Sequence, residues 1–125
     1  MSPEQPSARM RDDVPAGAYR EVLVVRSFEV GRDGRASPAT LLRYLEHLAT
    51  RASASVGYDN VWYERHGQAW VIHEMELLLG PPPRMNDTLG MATWVSAFRR
   101  VQAYRECVVW SSATGQRMAR ARGRW

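Results

Sequence analysis

The sequence predicts an α+β domain in which an antiparallel sheet wraps around one long central helix. Residues 37–57 contain the one long helical pattern of the chain, and the segments from residue 68 onward alternate as strands do. Those segments are separated mostly by tight turns, which join antiparallel neighbours. The apolar helix must therefore be buried against the sheet that the strands form.

The central helix is expected to begin at an N-cap serine and to end at a glycine. Ser37 is a favourable N-cap residue, and Pro38 follows at the first helical position, where its missing N–H costs nothing. Gly57 is expected to close the helix at C′. Residues at helical spacing predict the buried face: Leu41, Leu42, Leu45, Leu48, Ala49, Ala52 and Val56.

Five strands are predicted, over residues 18–30, 68–79, 88–98, 101–112 and 116–125. The second has a nearly apolar face that should lie beneath the helix, formed by Val71, His73, Met75, Leu77 and Leu79. The last strand alternates small residues with arginines. Its small face lets the helix approach closely, and its arginine face requires solvent or an anionic partner. Residues 58–67 form an aromatic linker, interpreted as a short helix or a lid.

Length and composition indicate a single domain over residues 18–125, preceded by a mobile tail over residues 1–17. Cys107 is the one cysteine among 125 residues, so no intrachain disulfide can form, which favours a reducing, cytoplasmic compartment. We expect neither a signal peptide nor a membrane-spanning stretch. The net charge of +4 suits an acidic partner without identifying it.

Five segments in a fixed order carry a family resemblance: VRSFEVG at 25–31, SVGY at 55–58, WVIHEMEL at 70–77, ATWVSAFRR at 92–100 and SSATGQRMARARGRW at 111–125. With them the chain resembles the hot-dog fold acyl-thioesterase superfamily, in particular the first repeat of plant-type acyl-acyl-carrier-protein thioesterases. The resemblance implies a five- to six-stranded sheet around the helix, assembled as a dimer or a dimer of dimers with the substrate tunnel at the interface. The plant enzymes carry their catalytic Asp, Asn and His in a second repeat, which this sequence lacks.

Two residues are catalytic candidates from their own positions. Glu46 lies within the leucine pattern, where burial would raise its pKa and suit it to act as a base. The alternative is a helix-edge glutamate in solvent or in a dimer salt bridge. His73 lies on an apolar strand face, where it could bind a substrate carbonyl, pair with Glu46, or be a satisfied core residue.

The resemblance adds further candidates. Asp33 lies near the loop position where single-domain members of the superfamily place a catalytic aspartate, although RDGR is also an ordinary turn. YLEHLA at 44–49 resembles the helix of hydroxyacyl-carrier-protein dehydratases with Glu46 in the acid's place, but the dehydratase His before the helix is absent. The resemblance also implies that the amides of Ala39 and Thr40, at the positive end of the helix, polarise the thioester oxygen.

Two groups of side chains are candidates for binding. Trp62, Tyr63 and Trp70 could line an acyl channel or belong to an aromatic core. The arginines of the last strand could grip a pantetheine phosphate or an acidic carrier helix, or form a solvated face: Arg120, Arg122 and Arg124. No metal and no cofactor are expected, apart from CoA or phosphopantetheine as part of the substrate.

The favoured function is hydrolysis of an acyl thioester carried by an acyl carrier protein or by CoA, in fatty-acid or polyketide metabolism. One alternative is a dehydratase or cyclase that uses Glu46 and His73 as an acid–base pair. Another is a non-catalytic acyl-binding subunit. Neither nucleic acid nor a membrane is expected as a partner, whereas a second copy of the chain is.

Overall fold

The computed structural model describes residues 14–125, which form five strands and two α-helices. Their order is β1 (Tyr19–Val24), α1 (Pro38–Ser55), α2 (Asn60–His66), β2 (Glu74–Leu79), β3 (Thr88–Arg99), β4 (Gln102–Ser111) and β5 (Arg117–Arg124), with a 3-10 turn at Ser27–Glu29. All strand pairs are antiparallel, and the order across the sheet is β1-β3-β4-β5-β2. The α+β prediction is confirmed, and β1 and β2 form the two edges.

The ends of α1 are those that the sequence predicts. The Ser37 side chain accepts a hydrogen bond from the Thr40 amide at 3.2 Å, and Pro38 opens the helix. Gly57 lies just beyond the C-cap with a φ of +97°, a conformation that side-chain-bearing residues rarely adopt.

One face of α1 packs on the inner face of the sheet and forms the main core. Leu41, Leu45 and Leu48 are almost fully buried, and they belong to one cluster with residues of β3, β4 and β5: Leu89, Met91, Cys107, Val109, Ala119 and Ala121. The small side chains of β5 leave room for the helix, as predicted. Burial of this apolar surface is the main favourable contribution to folding.

The predicted buried face of α1 is wrong at two positions. Leu42 is 43% exposed and Val56 is 70% exposed. Leu42 lies beside the stripe of Leu41, Leu45 and Leu48, and Val56 is the C-cap residue, beyond the last helical turn. Tyr44, which was not predicted, is buried instead.

The first two strands are shorter than predicted. The first ends at Val24, because the Arg26 amide donates to the Glu29 carboxylate at 2.9 Å and starts a 3-10 turn. The second begins at Glu74, and residues 68–73 run outside any strand. Its predicted apolar face is only partly buried: Met75 and Leu77 pack on the core, but His73 is exposed. The prediction fails there because β2 is an edge strand, with a neighbour on one side only.

A smaller cluster covers part of the outer face of the sheet. Val14, Ala92 and Val108 are buried together, with Trp94 and Trp110 packed against them. Trp110 lies across Gly90, where an added Cβ would come within 2.3 Å of the indole, so this position requires glycine. Most of the predicted tail, residues 1–13, lies outside the described residues. Within residues 14–125, neither helix has the length and apolar character needed to span a bilayer.

Replacing Leu45 tests whether the buried face of α1 holds the fold together. Leu45→Ala deletes a side chain that is 2% exposed, so it should lower the free energy of unfolding by about 2–5 kcal/mol. Leu42→Ala is the matched control, since it removes the same atoms from a partly exposed position and should cost less. Urea unfolding of both variants checks this, and equal losses would contradict a central role for the stripe.

Candidate functional site

Two neighbouring clefts lie where the C-terminal half of α1 meets the far end of the sheet. The inner cleft, of about 600 Å³, lies between α1 and the sheet, and its walls include Glu46, Ala49, Ala52, Val95 and Arg105. The outer cleft, of about 870 Å³, is lined by α2 and residues 67–73. Both volumes fall in the range of small-molecule sites. The clefts share five lining residues and are therefore adjacent: Tyr58, Tyr63, Ala69, Trp70 and Trp125.

Helix α2 forms a lid over these clefts and is tied to α1 by one serine. Ser53 donates to the Tyr58 carbonyl at 2.7 Å and is hydrogen-bonded to the Tyr63 hydroxyl at 2.8 Å. Asp59 caps α2 by accepting from the Trp62 amide at 2.9 Å. Trp62, Tyr63 and Trp70, predicted as channel residues, all line one or both clefts.

The three predicted catalytic side chains do not meet. Glu46 lines the inner cleft, His73 lines the outer cleft, and Asp33 lines neither. Glu46 is exposed rather than buried, because it lies beside the leucine stripe and not within it, so the expected desolvation is wrong in this chain. Asp33 accepts from the Arg35 amide at 3.0 Å, the hydrogen bond of an ordinary Asx turn.

The predicted oxyanion amides lie at the other end of α1. The Thr40 amide already donates to the Ser37 side chain, so it serves the helix cap. Ala39 is exposed. At 1.5 Å per residue, Ala39 is about 10 Å from Glu46 and about 20 Å from Ala52 along the helix axis, so these amides lie outside the inner cleft of one subunit.

Among residues 14–37, Glu29 is the carboxylate with the most hydrogen bonds. It accepts from the Arg26 guanidinium at 2.6 Å and from the Tyr44 hydroxyl at 2.9 Å. The hydrogen bond from Arg26 is the largest influence on the pKa of Glu29, which is lowered to about 2 despite the opposing effect of burial. Burial and this same carboxylate raise the pKa of Tyr44. Glu29 thus fixes the pre-helix turn onto α1.

The arginine face of β5 has a partner within the chain that was not predicted. Glu106, 5% exposed on the outer face of β4, binds Arg120 at 2.8 Å and Arg122 at 2.7 Å. Burial acts to raise the pKa of Glu106, but hydrogen bonds from Ser96, Arg120 and Arg122 outweigh it and lower the pKa. Arg124 pairs with the exposed Glu74 at 3.4 Å. The Arg120 side chain is 26% exposed and the Arg122 side chain 57% exposed. The prediction that these arginines face solvent or another molecule is therefore wrong for Arg120 and holds for Arg122.

Arg105 is a second charged residue of β4 that sequence reasoning missed. It lines the inner cleft from the inner face of the sheet, and its guanidinium donates to the Thr93 hydroxyl at 3.1 Å. Burial lowers its pKa. The alternation of Ala103, Arg105, Cys107 and Val109 is the signal that reveals it, because a charged residue interrupts a face of small and apolar side chains. Cys107 itself is buried, and burial raises the pKa of its thiol.

Metal ligation receives no support from side-chain grouping in the described part of the chain. Across residues 14–125 no three His, Cys, Asp or Glu side chains are grouped to hold an ion.

Comparison with known proteins identifies a family match over nearly the whole described domain. Residues 17–125 match the family model described as the acyl-ACP thioesterase N-terminal domain. The oleoyl-acyl carrier protein thioesterase 1 of Arabidopsis thaliana, a chloroplastic protein, is 26% identical over 114 residues. These cover 86% of this chain but 32% of the Arabidopsis protein. The chain thus spans about a third of this relative.

Solved structures share the fold. A Lactobacillus plantarum protein assigned as an oleoyl thioesterase superposes with a TM-score of 0.82 at 26% identity, over 88% of this chain and 42% of that one. A 1,4-dihydroxy-2-naphthoyl-CoA thioesterase from Synechocystis superposes with a TM-score of 0.79 at 13% identity, over 86% and 80% of the two chains. The hot-dog fold predicted from the sequence is confirmed.

The pH dependence of stability tests the role of Glu29. Its pKa is lower in the folded chain than its ordinary value of 4.5, so its stabilising contribution is present above that value and is lost as the pH falls toward 2. Glu29→Gln should therefore be less stable near neutral pH and should lose less stability than the parent chain across this window. Glu64→Gln, an exposed carboxylate of α2, is the control. Denaturant unfolding at several pH values measures both slopes, and equal slopes for Glu29→Gln and the parent would refute the assignment.

Proposed function

Because this chain belongs to the acyl-ACP thioesterase N-terminal domain family, we propose that it acts in the hydrolysis of acyl thioesters carried by an acyl carrier protein or by CoA. The observation that carries the proposal is the pair of clefts under the aromatic lid. An acyl chain is apolar and needs a water-excluding wall, which Trp62, Tyr63 and Trp70 can provide.

Glu46 is the carboxylate we propose to orient or deprotonate the attacking water. It lines the inner cleft, whereas Asp33 lines neither cleft and is occupied by the Arg35 amide. Water would add to the thioester carbonyl, the thiol of CoA or phosphopantetheine would leave, and the proton from water would return to the products through the carboxylate. The Ala39 amide, at the positive end of α1, is our candidate for holding the oxyanion.

The reaction would need both Glu46 and the Ala39 amide, and the α1 of one subunit keeps them about 10 Å apart along its axis. We therefore propose that two copies of the chain pair to complete the site. Both edge strands carry exposed apolar side chains: Val22 and Val24 on β1, and Leu78 and Leu79 on β2. Covering such an edge with a second copy removes unpaired backbone groups from solvent.

We propose the outer face of β5 as the contact for an acidic carrier or for the phosphate of pantetheine. Arg120 and Arg122 share the single carboxylate of Glu106, so the three side chains together keep a positive charge. We also propose that the protein works in a reducing compartment such as the cytoplasm, given its single, buried cysteine, although the Arabidopsis relative is chloroplastic.

A panel of thioesters tests the reaction class directly. Acyl-CoA, acyl-carrier-protein and β-hydroxyacyl substrates of several lengths should yield free acid and free thiol by mass spectrometry. Glu46 and His73 line different clefts of one subunit, which favours hydrolysis over a dehydratase acid–base pair. A product that has lost water and keeps its thioester would instead support a dehydratase. No turnover of any substrate would support a non-catalytic acyl-binding subunit.

Association is predicted separately from activity. Sedimentation at micromolar concentration should give twice the 14.2 kDa chain mass or a higher multiple. A single species at the mass of one chain would contradict the proposed pairing.

Replacing each carboxylate ranks the two candidate bases. Glu46→Gln should keep the fold and lower turnover by about 10²–10⁴-fold, the usual contribution of a general base. Asp33→Asn should have a much smaller effect, because its carboxylate only supports a turn in this chain. The reverse order would move the base to the loop before α1. A change of less than tenfold in both variants would leave catalysis to substrate positioning and the oxyanion site.

A further inference from the structure

Arg105 places a positive charge inside the inner cleft. Its neighbours at alternate positions of β4, Ala103 and Cys107, are buried, and Arg105 itself is partly buried on the same face. It contributes to the cleft wall together with Val95 and Phe98 of β3. Its guanidinium therefore faces the space beneath α1 rather than open solvent.

The charge of Arg105 is not neutralised by any carboxylate within residues 14–125. The ion pairs of the described chain involve other cations, and Arg105 has the neutral hydroxyl of Thr93 as its hydrogen-bond partner. Glu46 lines the same cleft from α1 but is exposed and forms no ion pair with Arg105. A guanidinium has five N–H donors, so most of them remain for a ligand.

The surroundings of this charge select the kind of molecule that would neutralise it. Phe98, Trp70 and Trp125 make much of the wall aromatic, and Ala49 and Ala52 add apolar surface from α1. The hydroxyl of Tyr63, which Ser53 holds in place, adds a polar group to the same wall. An unpaired cation in such walls is costly, and a bound anion with an apolar body offsets that cost.

We propose that the inner cleft binds a carboxylate attached to an apolar chain, with the carboxylate on Arg105 and the hydrocarbon against the aromatic wall. This inference deepens the proposed function and rests on it for the choice of an acyl chain. Hydrolysis of a thioester by water yields a carboxylic acid and a thiol, so one source of the carboxylate is the product acid. The other source is a second carboxylate at the far end of a dicarboxylic acyl group.

Binding is tested without catalysis by titrating the protein with decanoate and with decanol, two ligands of equal chain length that differ in charge. Intrinsic tryptophan fluorescence, to which Trp70 and Trp125 of the cleft contribute, reports binding. Decanoate should bind about tenfold more tightly than decanol, the size expected for a charge-assisted hydrogen bond. Arg105→Gln should abolish this difference, and Arg105→Lys should restore part of it.

Arg43→Gln is the matched control, because Arg43 is an exposed arginine of α1 that lines neither cleft. It should retain the full preference for decanoate. Arg105→Met, which keeps the volume of the side chain and removes the charge, guards against a folding defect in Arg105→Gln, and circular dichroism verifies both. Equal affinity of the parent chain for decanoate and decanol overturns the proposal. A preference for decanoate that survives in both Arg105→Gln and Arg105→Met overturns it as well.

Kinetics then distinguish the two sources of the carboxylate. Inhibition of decanoyl-CoA hydrolysis by decanoate, relieved in Arg105→Gln, identifies the product acid. A higher kcat/KM for the monothioester of a ten-carbon dicarboxylic acid than for decanoyl-CoA, lost in Arg105→Gln, identifies the substrate. If decanoate binding depends on Arg105 but no thioester is cleaved, the carboxylate site stands and the proposed hydrolase function fails. If thioesters are hydrolysed but the protein shows no preference for a carboxylate, the proposed hydrolase function stands and the carboxylate site on Arg105 is refuted.

Discussion

The burial of the α1 leucine stripe against the inner face of the sheet is the constraint on which the rest of the structure depends. Leu41, Leu45 and Leu48 are almost inaccessible, and their burial requires a sheet surface that the helix can approach closely. Ala119 and Ala121 of β5 provide that surface. Because successive side chains of a strand point to opposite faces, the β5 residues that alternate with them lie on the outer face. Packing on one side of the sheet thus decides what chemistry appears on the other.

The same helix changes character along its length, and this change creates the clefts. Leucines fill the space above the sheet as far as Leu48, whereas Ala49, Ala52 and Ser53 leave it open in the rest of α1. The aromatic lid covers this opening, because Ser53 forms hydrogen bonds with Tyr58 and Tyr63 that hold the lid in place. The helix α1 therefore contributes both to the hydrophobic core and to the wall of the inner cleft.

The sequence predicts those features that depend on residues close together in the chain. The cap at Ser37, the end at Gly57 and the alternation within β5 are local, and the structure confirms them. The exposure of Glu46 was missed because its position one step from the stripe is settled by the direction from which the sheet covers α1. The end of the first strand was missed because the Arg26–Glu29 turn competes with strand extension.

The partner of the β5 arginines was missed for a different reason. In the pairing of β4 with β5, Glu106 lies directly opposite Arg122 and two positions from the residue opposite Arg120. Both arginines therefore reach the Glu106 carboxylate only because the two strands pair in this register. Taken separately, β5 has an arginine-rich face and β4 has an isolated acidic residue. The charges of the two strands become a network only when the register is known.

Adjacent residues of β4 carry opposite charges and cannot neutralise each other. Arg105 and Glu106 point to opposite faces because the strand is pleated, so the carboxylate nearest to Arg105 in sequence lies on the far side of the sheet. Glu106 is satisfied there by Arg120, Arg122 and Ser96. Turning it toward Arg105 would break that network and expose the apolar neighbours of the inner face. The pleat therefore holds an unneutralised cation beside an aromatic cleft, a separation of charge that the fold maintains and that a bound anion would relieve.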